Sequence, residues 1–106
     1  MPRRQPLTDV RTPTSRRAVW AMLHDDGRLT IEGQSLSRGA DFFEYEWAFT
    51  IAPADIPVLA AAIGGTADDD PLPLLATLYQ AEARIDLRRL LDRHGVRSTF
   101  WSRVGD

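Results

Sequence analysis

The sequence predicts an α+β protein whose antiparallel sheet carries helices on one face. Polar and apolar side chains alternate at period two in Arg28–Glu32 and in Phe42–Ile51, which is typical of half-buried strands, and Ala18–His24 is a short apolar run that also indicates a strand. Between residues 53 and 95, apolar side chains recur at helical spacing, with proline and glycine near the segment boundaries. A last strand-like segment follows. The expected order is three strands, two or three helices and a final strand.

A hairpin is expected around the turn Asp25–Gly27, between the strands Ala18–His24 and Arg28–Glu32. Glycine adopts a left-handed backbone without steric cost, so Gly27 suits the last position of a three-residue turn. We therefore predict this turn type for the hairpin.

The turn length fixes which side chains share a face of the hairpin. A three-residue turn places Leu23 opposite Leu29, on the face expected to meet the helices. Trp20 and Met22 then lie on the other face, beside Glu32. A two-residue turn would shift the register by one residue and reverse this arrangement.

The segment Phe42–Ile51 has the strongest strand pattern in the chain. Large apolar side chains share one of its faces at period two, namely Phe43, Tyr45, Trp47, Phe49 and Ile51. Glu44 and Glu46 share the other face. We expect the aromatic face to form the core with the helices, so that Trp47→Ala threatens folding.

Capping and boundary residues mark the helices. A short helix is expected within residues 53–64, and Asp70 is expected to cap a second helix. A third helix begins near Asp86 and ends before Gly95. The apolar spacing also permits the last two helices to be one. Val96–Arg103 is predicted to close the chain as a strand.

The composition is that of an ordinary globular domain. The chain has 106 residues, of which 43% are hydrophobic, and it has no cysteine, which excludes disulfides and thiolate metal sites. All 13 basic residues are arginine, and lysine and asparagine are absent. Because both missing residues have AT-rich codons, this bias indicates a GC-rich bacterial genome. A net charge of −2 gives no strong field to attract nucleic acid or an anionic membrane.

Residues 1–16 are expected to form a flexible arm, because they hold prolines and arginines but few large apolar side chains. Residues 17–106 are expected to form a single α+β domain. The apolar stretch Ile56–Gly65 is too short to cross a bilayer. The N-terminal arginines are not followed by the apolar core of a secretory signal, so a cytoplasmic location is expected.

The sequence predicts no catalytic residue, no cofactor and no metal. His24, Asp25 and Asp26 are adjacent on a turn, and we interpret the carboxylates as partners of the local backbone. Asp68–Asp70 lacks the spaced ligands of a calcium loop and is interpreted as the acidic entry to a helix. The chain has neither a phosphate-binding glycine loop nor the glycines of a nucleophile elbow.

The outer face of the sheet is the strongest candidate site. An aromatic centre with a charged rim has the composition of a protein interface. The predicted partner-binding residues are Trp20, Met22, Glu32, Glu44, Glu46, Arg97, Trp101 and Arg103. Two structural alternatives stay open. In the first, these residues pack under the N-terminal arm; in the second, Trp101 points into the core.

We therefore predict a small cytoplasmic protein that is a non-catalytic protein–protein interaction module. Its partner is either a second copy or a basic protein, since the segment Asp25–Asp70 holds ten acidic residues and two arginines. An immunity-like or antitoxin-like inhibitor is one form of this hypothesis. Nucleic acid and membrane are not expected partners.

Two other function classes stay open. The first is a small enzyme or ligand binder with a pocket between sheet and helices, in which His24 or His94 would meet a carboxylate. The second is a nucleic-acid accessory protein. It would use the arginines of the arm together with those of the last helix on one continuous surface. The arginines of the last helix are Arg84, Arg88, Arg89 and Arg93.

Overall fold

The computed structural model describes residues 1–39, 43–82 and 84–105 and confirms the α+β class. Five antiparallel strands form one sheet, and a helical layer follows the fourth strand. The strands are β1 (Arg3–Arg11), β2 (Ser15–Leu23), β3 (Leu29–Ser37), β4 (Phe43–Ile51) and β5 (Thr99–Gly105). A 3₁₀ turn at Pro53–Asp55 leads into α1 (Ile56–Ala62), α2 (Pro71–Ala81) and α3 (Leu87–Arg93).

The sheet is a meander in which each strand pairs with its neighbour in the chain, in the order β1-β2-β3-β4-β5. The predicted hairpin is confirmed. Leu23 pairs with Leu29, and Gly27 has a φ of 89°, the left-handed conformation that the three-residue turn requires. The N–H groups of His24 and Gly27 close the turn by donating to the carbonyls of Arg28 and His24.

The prediction of three N-terminal strands is wrong, because residues expected to form a flexible arm include β1. Arg3–Arg11 pairs along β2, and the pairing shifts between Pro6 and Thr8, where a bulge turns Leu7 into the core. Leu7 is the only residue of β1 classed as buried. Backbone pairing together with this one anchor holds the strand, and neither leaves a hydrophobic pattern in the sequence.

The helices lie on one face of the sheet and build the core with it. Leu59, Leu75 and Leu91, one from each helix, pack with Ile31 and Ile51 of the sheet. These five side chains are fully or almost fully buried. Burying each such side chain is worth about 1.5–3 kcal/mol, so this layer supplies most of the apolar stabilisation.

The predicted cap of α2 is confirmed, and α3 begins after Asp86 as expected, with Asp86 as its cap. Asp70 Oδ1 accepts from the N–H of Leu72, and Asp86 Oδ1 accepts from the N–H of Arg89. The two helices are separate, because the backbone is extended at Glu82 directly after α2. Gly95 follows α3 with a φ of 68°, which ends that helix.

The final strand is shorter than predicted and begins at Thr99. Val96 is 4% exposed and belongs to the core beneath α3, so the chain at Val96–Ser98 is still leaving the helical layer. Arg97 therefore lies outside β5, although the predicted strand Val96–Arg103 includes it.

Burial along the inner face of β4 shows how far the helices reach. Phe43 is exposed, Tyr45 and Trp47 are half-buried, and Phe49 and Ile51 are buried. The helical layer therefore covers the Ile51 end of the sheet. Phe42, with which the predicted strand began, lies outside the described residues. Within the described part of the chain, no helix has the length and apolar character needed to cross a membrane.

Candidate protein-binding face of the sheet

The open face of the sheet, defined as the face opposite the helices, carries the predicted aromatic residues. Val19 and Ala21 of β2 belong to the core, so the alternating side chains of Trp20 and Met22 lie on the open face. Trp101 pairs with Ala48 on that face and is 53% exposed. The alternative in which Trp101 points into the core is therefore wrong.

A hydrogen-bond network fixes the orientation of the Trp20 indole. Trp20 Nε1 donates to Glu32 Oε2 over 3.2 Å, and Thr30 Oγ1 donates to the same oxygen over 3.2 Å. The His24 Nε2–Thr30 Oγ1 distance is 3.0 Å. Because the Thr30 hydroxyl proton goes to Glu32, His24 is the donor in that bond. Thr30 is only 9% exposed, so the hydrogen bonds that it makes to His24 and Glu32 are largely shielded from solvent.

The side chain of Arg4, in β1, covers part of the open face. The Arg4 guanidinium carbon lies 5.2 Å from the centroid of the Trp20 ring, which is a cation–π distance. Trp20 is accordingly half-buried. The alternative in which the N-terminal segment covers this face therefore holds only for the Arg4 side chain, because β1 itself is paired at the edge of the sheet. Sequence reasoning missed Arg4 because it missed β1.

Glu44 and Glu46 are neighbours on the open face of β4, and both accept a hydrogen bond from the side-chain amide of Gln34. Gln34 Nε2 donates to Glu44 Oε1 over 3.3 Å and to Glu46 Oε1 over 3.4 Å. The Glu44 side chain and partial burial together raise the pKa of Glu46, although the charge of Arg103 acts in the opposite direction. Arg103 pairs directly across from Glu46. The contact with Glu44 and the burial therefore outweigh the effect of the Arg103 charge on the pKa of Glu46.

The open face contains a cavity of about 160 Å³, around which the open-face tryptophans Trp20 and Trp101 meet the carboxylates of Glu32 and Glu46. The cavity is lined by Trp20, Glu32, Gly33, Gln34, Glu46, Trp47 and Trp101. Gln34 was missed by sequence analysis because the predicted strand ended at Glu32. The alternation that continues through β3 would have placed Gln34 on the same face.

Arg97 does not belong to this face. It lies before β5 and lines a small depression with Ala52, Asp55 and Thr99 at the end of the sheet. The cause is that Val96, the residue before Arg97, is buried in the core, so the chain has not yet entered β5. Of the predicted site residues, the structure places Trp20, Met22, Glu32, Glu44, Glu46, Trp101 and Arg103 on the open face.

The acidic clusters have local roles. The Arg28 N–H donates to Asp26 Oδ1 and Arg28 Nε to Asp26 Oδ2, and these bonds lower the pKa of Asp26. Asp69 Oδ2 accepts from the N–H of Thr66, and Asp70 caps α2. Among residues 1–39, 43–82 and 84–105, no three His, Cys, Asp or Glu side chains converge as a metal site would require.

A second cavity, of about 260 Å³, lies between the sheet and α3. Its lining includes Arg17, Tyr45, Trp47, Asp86 and Arg88. Asp86 is occupied as the α3 cap. The Arg88 guanidinium carbon lies 4.5 Å from the centroid of the Phe100 ring, so this arginine packs on the core. Neither histidine lines this cavity.

Several of the arginines considered for nucleic acid have partners within the chain. Arg3 pairs with Asp70, and Arg16 pairs with Asp9 over 3.1 Å, which lowers the pKa of Asp9. Arg4 and Arg88 lie on aromatic rings. The β1 arginines and α3, whose Arg88 packs on β5, belong to opposite edges of a five-stranded sheet. The geometry therefore gives little support to one continuous basic surface.

Comparisons with known proteins identify no relative, since no family model, no curated protein and no solved structure matches the chain.

Proposed function

We propose that the protein is a non-catalytic protein–protein interaction module whose open face binds a basic side chain of a partner protein. The observation that carries this proposal is the cavity around which Trp20, Trp101, Glu32 and Glu46 meet. It combines ring faces, which attract cations, with carboxylates, which accept hydrogen bonds from them.

An arginine suits this cavity better than a lysine. The planar guanidinium stacks on an indole face and donates to two carboxylate oxygens at once, whereas an ammonium is a point charge. A guanidinium in the cavity would also place positive charge beside Glu46, whose pKa is raised by the neighbouring Glu44 side chain and by partial burial.

The Trp20 side of the cavity is held in place by contacts within the chain. Glu32 and Arg4 hold the Trp20 side chain from two sides, so little rotamer freedom is lost when a partner binds. Tryptophan and arginine are also the side chains that most often dominate binding energy at protein interfaces. Met22 extends the apolar part of the same face.

The kind of partner follows from charge. The acidic segment between Asp25 and Asp70 supplies β3, β4 and α1, and hence the three glutamates of the open face. Complementary charge speeds docking of a basic protein. An inhibitor of a basic enzyme, of the immunity or antitoxin type and acting in the cytoplasm, is the form of the proposal that this charge pattern favours.

Quantitative affinity capture from the source cells tests the proposal. The baits are the full chain, Glu46→Gln and Trp20→Ala, with Glu82→Gln as a control that changes net charge equally at the end of α2. We expect at least one protein to be captured by the wild type and by the control, and to fall about tenfold or more with both open-face variants. A tenfold loss corresponds to about 1.4 kcal/mol of binding energy.

Circular dichroism of each bait establishes that the variant is folded. The proposal is overturned if every captured protein binds all four baits equally. It is also overturned if capture responds to Glu82→Gln as strongly as to Glu46→Gln, because binding would then follow net charge and not the cavity.

A further inference from the structure

The two edges of the sheet are built differently. Strand β1 has the features by which proteins block unwanted strand pairing: Pro6, a bulge at Leu7 and charged ends with Arg3, Arg4 and Arg11. Helix α2 also packs on β1, and Arg3 is paired with Asp70 at the start of that helix. This edge is therefore protected.

Strand β5 lacks the proline, the bulge and the charged ends of β1, and the contact from α3 is the Arg88 guanidinium on the face of the Phe100 ring. The strand contains no proline and one charged residue, Arg103, and it pairs with β4 without a register shift from Thr99 to Gly105. Its apolar side chains are exposed on both faces of the sheet, with Phe100 41%, Trp101 53% and Val104 65% exposed. A regular and apolar edge strand is a template for another strand.

We propose that β5 pairs antiparallel with β5 of a second copy, about a twofold axis that passes through Ser102. Ser102 is the central residue of this seven-residue strand, so the two strands overlap along their whole length. Two five-stranded sheets would join into one sheet of ten strands. This inference rests on the edge strand and does not depend on the proposed function.

The strand is self-complementary in this register. Phe100 comes opposite Val104 of the second copy, an aromatic and β-branched pair on the helix-bearing side. Trp101 comes opposite Arg103 of the second copy on the open face, where a cation–π contact forms. Each pair occurs twice because of the symmetry, and a shift by two residues would bring the two Trp101 side chains together and lose both pairs.

The same register keeps the helices of both copies on one side of the joined sheet. A shift by one residue would place outer side chains opposite inner ones, so the helices of the two copies would lie on opposite sides. The twofold arrangement therefore also extends the open face across the dimer, and Trp101 stands at the junction.

Directed cross-linking tests the register. The chain has no cysteine, so Ser102→Cys introduces a single thiol, next to its own copy on the twofold axis. Paired residues of antiparallel strands have Cα atoms about 4.5–5.5 Å apart, within disulfide range. The control is Thr99→Cys, an exposed residue of the same strand whose two copies would be about 20 Å apart.

Under mild oxidation we expect Ser102→Cys to form a covalent dimer on non-reducing gels and Thr99→Cys to form at least tenfold less. Equal cross-linking of the two variants, or none with Ser102→Cys, overturns the proposal.

The mass in solution provides an independent measurement. Size-exclusion chromatography with light scattering is expected to give twice the chain mass of 11.9 kDa for the wild type. Ser102→Asp would place two carboxylates opposite each other at the axis, so it is expected to give 11.9 kDa, whereas Thr99→Asp keeps the dimer. A wild type of single-chain mass, or a dimer that survives Ser102→Asp, contradicts the inference.

Discussion

The indole ring of Trp47 lies on the backbone of Gly33, its direct partner across β3 and β4. A Cβ atom at Gly33 would lie 2.2 Å from Trp47 Cε2, far inside van der Waals contact. The strongest aromatic signal of the sequence thus depends on a missing side chain in the neighbouring strand, because only glycine lets the ring lie flat on the sheet.

Gly33→Ala is therefore expected to lower the free energy of unfolding by about 1–3 kcal/mol, since the Trp47 ring must move from its place against the core. Urea denaturation followed by circular dichroism measures this change. Gly39→Ala is the matched control, because no atom lies within 4 Å of a Cβ built there and its φ is not left-handed. Equal midpoints for the two variants would show that the close approach is not needed.

Asp70→Ala is expected to cost about 1 kcal/mol, the usual value of an N-cap side chain. Burial alone would raise the pKa of Asp70, but hydrogen bonds from Arg3 and from the Leu72 N–H outweigh it and lower the pKa. A lowered folded-state pKa means that this stabilisation is present above the ordinary carboxyl pKa and is lost as pH falls through the folded value.

The wild type and Asp70→Ala should therefore differ in denaturation midpoint at neutral pH and converge in strong acid. Asp68→Ala, in the same loop, serves as the control. A difference between wild type and Asp70→Ala that does not change with pH would contradict the role given to the ionised carboxylate.

Thr30→Val is expected to destabilise the fold by about 1 kcal/mol, because it keeps the side-chain shape but removes the hydroxyl that joins His24 to Glu32. The comparison is Thr50→Val, since Thr50 pairs directly with Thr30 on the same face. Thermal unfolding gives the stability difference. If both variants behave alike, the network does not contribute to stability.

Glu46→Gln is expected to raise the melting temperature at neutral pH. The folded-state pKa of Glu46 is raised, so the folded protein binds this proton more tightly than the unfolded chain does. Stability then falls as pH rises from the ordinary carboxyl pKa through the raised value, and Gln removes that loss. Melting curves at a series of pH values should show the advantage of Glu46→Gln vanish in acid. An advantage that persists there would point to a cause other than ionisation.

Features that are set by neighbouring residues in the chain were predictable from the sequence, and features that are set by long-range pairing and packing were not. Gly27 sets the hairpin register by local sterics, and Asp70 and Asp86 cap helices by local hydrogen bonds, so these features were predictable. β1 was not, because pairing with β2 holds it and Leu7 alone is buried. Arg97 left the predicted site because Val96 belongs to the helical core, which is a property of packing and not of alternation.

The candidate site was predictable to a similar degree. Strand parity alone placed Trp20 and Trp101 on the open face. The partners that shape the cavity, Gln34 and Arg4, lie on strand segments that the sequence pattern did not reveal, one beyond Gly33 and one in β1. Long-range pairing decides such positions, and a single sequence does not display it.

The proposed function requires the cavity of the open face to bind a guanidinium. The most direct measurement is a titration of ¹⁵N-labelled protein with N-acetylarginine amide, observed at the three indole N–H resonances and matched for ionic strength with N-acetylglycine amide and sodium chloride. We predict saturable shifts of the Trp20 and Trp101 indole signals, which Glu46→Gln abolishes. Absence of saturable shifts at both tryptophans, or equal shifts in Glu46→Gln, would contradict the claim.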